Sequence, residues 1–513
     1  MGCLIRLVPL AISFPYPIGY DTVNYYLPNL YHFESNWPKL VTEFPIYIAT
    51  VYVFSIVFSV DVYYSFLASN IILYGIFSMT IYLLSNRVLN QSLKMSLVFT
   101  VFTIFQIGTL RISWDLFRDI FSLIMFNLFL LLVNHLNKKN AWNRFISVLT
   151  VFSISVLTVF SDRMIGMLLI SVSFIFSNIY KQKYLFMINA FFALSFLLYF
   201  LTFDRITFVS ANANFIEMLL NPLYDRNAFS NVDISVLFLS LYGPLIPFFA
   251  YGFIYTILRD SFLIIKIPLL ISLLLSFTWI LIPNYGYLVP ERWLLIFGIY
   301  MSLIAIYGFL LIVDYSLGLK NKSTRKKVIF LFLIVFVAYG SLFAIMPYGV
   351  TYSLPSLFHE NTEFVFPLSM LFNTLDVKDN PEMIKLIDWI NSNTSNESAV
   401  IGTKHWRGWF SLFLDPPRKY LYAEDFDNPG NNSYNGEGRL NYSDNLEKNL
   451  ALYLCPHTNV GVHLPYSPRP SNASLYFVDY GNNVYADNPF FQSVDYNSKK
   501  FSVYNLTSYT CMP

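Results

Sequence analysis

The chain has 513 residues, of which 56% are hydrophobic and 12% charged, where soluble domains carry about 25% charged residues. With a mean hydropathy of +0.51, this excludes an ordinary soluble globule and predicts a polytopic membrane protein. A net charge of +2 with no basic block gives no reason to expect nucleic acid, and three cysteines exclude a disulfide-rich scaffold.

In chain order, the first apolar run is Leu4–Phe14. It is shorter than the roughly 20 residues a spanning helix needs. Either the segment begins upstream of Met1, or it is a short helix shielded by its neighbours. No small-residue cleavage site of a signal peptide follows it. Residues 15–44 are polar and aromatic and carry Asp21, Glu34 and Glu43. Residues 45–63 are apolar again but open on Pro45 and contain Asp61, which predicts a helix in the interface rather than a span.

Further spans are predicted at Tyr64–Leu84, Met95–Leu110, Ile120–Leu136, Phe145–Phe160, Met164–Ile179, Tyr184–Phe203, Ile234–Leu258, Phe262–Ile282, Trp293–Val313 and Val328–Met346. The total is about eleven helices of roughly membrane length. Short cytoplasmic loops are enriched in Lys and Arg. One alternating set of loops holds Arg87 and Lys94; Lys138, Lys139 and Arg144; Lys181 and Lys183; Arg259; and Lys320, Lys322, Arg325, Lys326 and Lys327. The other holds Arg111, Arg118, Arg163, Arg205, Arg226 and Arg292 and, after Lys39, no lysine. The first set is therefore expected inside and the second outside, provided residues 45–63 do not span. Outside would then lie residues 15–63, 111–120 and 204–233, together with Asp162 and Glu291.

Residues 1–350 are thus expected to form a membrane domain, 351–374 a linker, and 375–513 a polar extracytoplasmic domain. In the last, Asn380-Pro381-Glu382 before Ile384, Ile387 and Ile390 predicts a helix with Pro in its first turn. Strands are expected at Ser398–Thr403, Lys419–Tyr422 and Ser474–Val478, and a loop from Gly430 to Tyr442. The fold class is a mainly α transmembrane bundle with a C-terminal α/β or α+β domain. Cys455 and Cys511 are either a disulfide, which an oxidising exterior permits, or two thiols. Asn-x-Ser/Thr sequons fall at Asn393, Asn396, Asn431, Asn441, Asn472 and Asn505, a weak sign in so Asn-rich a tail.

Several residues offer chemistry. Asp21, in Gly19-Tyr20-Asp21-Thr22, is either a catalytic carboxylate or a turn or cap residue. Tyr20, Tyr25 and Tyr26 are either interface-belt residues or a sugar-stacking platform. Asp115, Arg118 and Asp119 are spaced i, i+3, i+4, which on one helix puts them on one face. Asp115 and Asp119 are candidate ligands for a divalent cation such as Mg or Mn; the plainer reading is a helix-terminal ion pair. Asp162-Arg163 and Glu291-Arg292 repeat the acid–arginine pairing, as interfacial anchors or substrate contacts. Arg118, Arg163 and Arg292 together would suit a phosphate, which arginine grips by two parallel hydrogen bonds. Walker, dinucleotide and HExxH motifs are absent. His405 reads as a surface residue, and His32 as an isolated one in the first outer loop.

Gly-Tyr-Asp-Thr after a first membrane segment resembles the GT-C superfamily of membrane glycosyltransferases. The likeness is greatest to archaeal members of the group that includes protein mannosyltransferases and the lipid A aminoarabinose transferase. Asp21 stands where such proteins place an essential Asp in the first outer loop. Asp115, within Trp114-Asp115-Leu116-Phe117-Arg118-Asp119, matches a second acidic motif, with Asp119 as competitor. Glu291-Arg292-Trp293 resembles the acid–arginine start of a late helix. The chain lacks the Trp-Trp-Asp-Tyr-Gly type motif of oligosaccharyltransferases. The resemblance implies a polyprenyl- or dolichyl-phosphate-linked sugar donor, membrane lipid as a partner, and an unidentified glycan, lipid or protein acceptor. A transporter or lipid flippase and a non-catalytic scaffold displaying the tail are the competing classes. Internal repeats and midplane charges, expected of a transporter, are not seen.

Overall fold

The computed structural model describes residues 1–41, 45–139, 145–203, 231–257, 262–277, 290–317, 322–345, 375, 379–403, 406–423, 474–480, 494–498 and 500–506. The expected linker at 351–374, loops at 204–230 and 430–442, Arg205, Arg226, His405, Cys455 and Cys511 lie outside these residues. The chain forms two compact units. One comprises residues 1–12 and 33–371, the other residues 13–32 and 372–513.

The first unit is helical. It contains α1 (Gly2–Ser13, whose last residue falls in the other unit), α3 (Phe33–Val41), α4 (Ile46–Phe58), α5 (Val62–Leu83), α6 (Leu93–Ile104), α7 (Ile107–Asp115) and α8 (Phe117–Lys139). It continues with α9 (Phe145–Val159), α10 (Arg163–Ile179), α11 (Lys183–Phe203), α12 (Asn231–Tyr242), α13 (Ile246–Thr256), α14 (Leu263–Ser276), α15 (Pro290–Leu317) and α16 (Lys322–Ile345). Among the described residues, four helical stretches are long and apolar enough to cross a membrane, or up to five if one bent pair is a single span. Helix α15 lies at the centre, with 83% of its apolar window buried, whereas 22% is buried in the stretch Leu237–Thr256.

Three local features explain where the helices break. Residues 45–63 are not one helix. The 13-residue α4, about 20 Å long at 1.5 Å per residue, stops at Ser59, whose φ is 52°. Asp61 then caps α5 by accepting from the Tyr63 amide at 2.8 Å, so its place in an apolar run is a boundary. The expected span Met95–Leu110 is instead the pair α6 and α7, bent by 65°. At the bend Gln106 accepts from the Thr109 amide at 3.0 Å and donates to the Leu241 carbonyl at 3.3 Å. Between α12 and α13, Gly243-Pro244-Leu245 forms a single tight 3-10 turn.

Buried polar groups and glycines tie the helices together. Asn127 of α8 donates to Thr80 of α5 at 3.0 Å and accepts from Tyr300 of α15 at 3.2 Å. In lipid, such interhelical bonds and close backbone approach do what hydrophobic burial does in water. The closest approach joins α13 and α15. A Cβ on Gly308 would meet the Phe248 carbonyl and would lie 2.7 Å from the Gly252 nitrogen.

The second unit is a five-stranded mixed sheet with helices. It contains α17 (Asn380–Asn393), β1 (Ala399–Gly402), α18 (Arg407–Phe413), β2 (Lys419–Tyr422), β3 (Leu475–Tyr480), β4 (Val494–Asn497) and β5 (Phe501–Asn505), in the order β2-β1-β3-β5-β4. Strand β1 is parallel to β2 and β3, while β5 is antiparallel to β3 and β4. Three strands and α17 match expectation. Strands β4 and β5, which pair with each other antiparallel, and helix α18 were not read in the sequence, because each is short.

The residues after α1 belong to this second unit. They run through the five-residue π-helical turn Thr22–Tyr26 into α2 (Leu27–Tyr31). Val23 is fully buried in the same core as Ile387, Val400, Trp409 and Val503.

Candidate functional site

In the membrane unit, the starts of three helices bring acids and arginines together. Arg118 and Asp119 lie in the first turn of α8, Asp162 precedes α10, and Arg292 is the third residue of α15. Helix α8 packs on α10, and Tyr300 of α15 donates to Asn127 of α8. The charges of Asp162, Arg292 and Arg118 all act on Asp119. Asp119 is 4% exposed and Asp162 3%, so both are held away from bulk solvent. Two carboxyl groups so close repel unless a proton or positive charge stands between them, and the two arginines supply such charge.

Local structure fixes Asp162 firmly. Its Oδ1 accepts from the amides of Met164 at 2.8 Å and Ile165 at 3.0 Å, which makes it the N-cap of α10. Each helix start also presents partial positive charge and unsatisfied amides, the usual setting for an anion. Arg163, next along, is half-exposed.

The expected single helical face for Asp115, Arg118 and Asp119 is corrected. Asp115 is the last residue of α7, and Leu116 breaks the chain direction before α8 begins. The i, i+3, i+4 rule applies only within one helix. Asp119 has Asp162 as an acidic neighbour, a pairing that spacing does not reveal. The side chains of Asp115 and Glu291 lie outside the described residues, although both residues are helical. Among the described residues no group of three or more His, Cys, Asp or Glu side chains could hold a metal ion. Asp119 and Asp162 offer two carboxyl groups, and Mg is commonly held by one or two carboxylates together with substrate phosphates and water.

Arg6 was not singled out in the sequence. It is 2% exposed, and its guanidinium lies 5.5 Å from the Trp114 ring and 5.0 Å from the Phe117 ring. Those rings flank the break at Leu116, and a buried cation over aromatic faces is a stabilising contact. Tyr47, nearby, donates to Asn70 at 2.6 Å. A charge inside the first apolar segment was the available signal, since intramembrane charges are rare and costly.

Asp21 belongs to the second unit. It directly precedes the turn Thr22–Tyr26, yet its side chain makes no capping bond. The cap reading therefore does not describe it, and its carboxyl is half-buried. Gly19 before it has φ 95°, a conformation that favours glycine. Tyr25 and Tyr26 meet edge to face at 5.2 Å. Tyr26 is buried and Tyr25 half-buried, so of the two only Tyr25 keeps ring surface for stacking. His32 is exposed at the end of α2.

No protein-family model and no curated protein matches the sequence. Among solved structures, the chain is similar to ArnT from Cupriavidus metallidurans bound to undecaprenyl phosphate, at 10% identity over 99% of this chain and 98% of that one, with a TM-score of 0.49. It is similar to the apo state of the same protein at 11% identity over 98% and 97% of the two chains, again with a TM-score of 0.49.

Proposed function

We propose that the protein is an integral membrane glycosyltransferase that moves a sugar from a polyprenyl- or dolichyl-phosphate donor to an acceptor at the outer face of the membrane. The observation that carries the reading is the cluster of buried Asp119 and Asp162 with half-buried Arg118 and Arg292 at three helix starts. Buried carboxyl groups are costly unless charge or hydrogen bonds compensate them. Here they set negative charge beside guanidinium groups, the side chains that grip a phosphate by two parallel hydrogen bonds. The lysine asymmetry of the loops supports placing this end outside. The Gly-Tyr-Asp-Thr motif supports the reaction class.

In this reading the arginines hold the donor phosphate and stabilise the charge it gains as the departing group. Asp21 takes the proton of the acceptor hydroxyl. That oxygen then bonds to the anomeric carbon, which passes through oxocarbenium-like character, while the bond from carbon to phosphate oxygen breaks. The lipid tail gives the donor its membrane anchor, so no nucleotide site is required.

The test is Asp21→Asn, expressed in the native host from which the gene has been removed. Glycolipids and glycoproteins are then compared by mass spectrometry. The expected result is normal protein level and no restoration of the missing sugar. Full restoration by Asp21→Asn would exclude Asp21 as the base.

A further inference from the structure

The segment that carries Asp21 is built into the C-terminal domain, 384 positions away in sequence. The Asn24 side-chain oxygen accepts from the Gly408 amide at 2.8 Å, and the bond is buried. Asn380, at the start of α17, donates to the Pro17 carbonyl at 3.3 Å. Val23 is fully buried in the domain's hydrophobic core, and Tyr16 packs against it. Helix α18 packs on both the Thr22–Tyr26 turn and α2. The fit leaves no room at position 408. A Cβ there would press on the Val23 carbonyl and lie 2.9 Å from the Asn24 Cα. Glycine is thus required by the close approach of two backbones.

From these contacts we infer that the C-terminal domain is the positioning element for Asp21, with Asn24 and Gly408 as its positioning residues. The inference rests on the proposed role of Asp21. Asn24 follows Asp21 by three residues in one continuous helical turn, so whatever fixes Asn24 fixes the direction of the carboxyl. The domain is then part of the reaction machinery, and neither residue touches substrate. A misplacement of about 1 Å in a reacting group can lower a rate by roughly a hundredfold, so a small loosening of this clamp is enough to be read.

The experiment uses the full-length protein in lipid nanodiscs and in the gene-deleted host. Hydrogen exchange of residues 18–31 reads the clamp, binding of undecaprenyl phosphate reads the donor side, and restoration of host glycans reads transfer. Asn24→Ala and Gly408→Val are expected to raise exchange in 18–31 and to cut transfer by about tenfold or more. Binding of undecaprenyl phosphate, assigned to the membrane unit, should stay unchanged. Asn24→Asp keeps an oxygen acceptor and should restore the exchange protection that Asn24→Ala loses. Asp21→Asn should keep protection and lose transfer. If Asp21→Asn is active, the role of Asp21 itself is wrong. If Asp21→Asn is inactive while Asn24→Ala transfers at the wild-type rate despite raised exchange, the positioning role is wrong. Rapid exchange of 18–31 in the wild type would also overturn it. Should Gly408→Val fail to accumulate, Asn24→Ala and Asn24→Asp still decide.

Discussion

Replacing Asp162 separates two jobs that one side chain performs. As N-cap of α10 it accepts two backbone hydrogen bonds, at 2.8 and 3.0 Å, in a site 3% exposed. Removing an N-cap costs about 0.5–2 kcal/mol. Leaving buried amides without an acceptor costs about 1–3 kcal/mol for each group. These figures overlap, because the cap energy already contains part of the amide penalty, so about 2–3 kcal/mol is expected for Asp162→Ala. Asp162→Asn keeps an oxygen in the same position and is a good cap. Its loss should stay under about 1 kcal/mol. Asn nevertheless removes one negative charge beside Asp119, Arg118 and Arg292. Thermal unfolding in detergent should therefore rank wild type and Asp162→Asn close together, with Asp162→Ala clearly below. Glycan restoration should fall in both variants. If Asn is as destabilising as Ala, the capping account fails. If Asn transfers sugar at the wild-type rate, the charge of Asp162 has no part in the site.

Gly308→Val should destabilise the membrane unit by at least the roughly 1–3 kcal/mol of an overpacked core, because α13 and α15 must move apart at the Phe248 and Gly252 backbone; an unchanged midpoint in detergent would refute the close approach. In the tail domain, Arg418 donates to the Thr394 hydroxyl at 3.1 Å and to the Asn391 and Thr394 carbonyls at 2.8 Å each. Arg418→Met should lower the domain's thermal midpoint, with a cost of about 1.5–3 kcal/mol for bonds from a charged donor. Arg418→Lys should recover only part of it, since an ammonium cannot reproduce the planar fork. Equal midpoints for Lys and Arg would show that the fork geometry is unimportant.

Hydropathy determined what had to be buried in lipid. A composition of 56% hydrophobic and 12% charged residues leaves a helical bundle as the way to satisfy backbone groups there, and most helix positions followed from it. The start of α17 and three strands were equally local, so a Pro in a first turn and short β-prone runs sufficed to find them. A boundary within 111–120 was legible from its charges, but the break at Gln106 and the exact point of division at Leu116 were not. The break at Gln106 depends on a partner elsewhere, the Leu241 carbonyl, while the apolar run continues through it. The pairing of Asp119 with Asp162 and the clamp between Asn24 and Gly408 likewise join residues far apart in the chain. Residue type and spacing nominate acids and arginines at helix ends; only packing decides which of them meet, because the choice of neighbour is made by whole helices and sheets settling against each other.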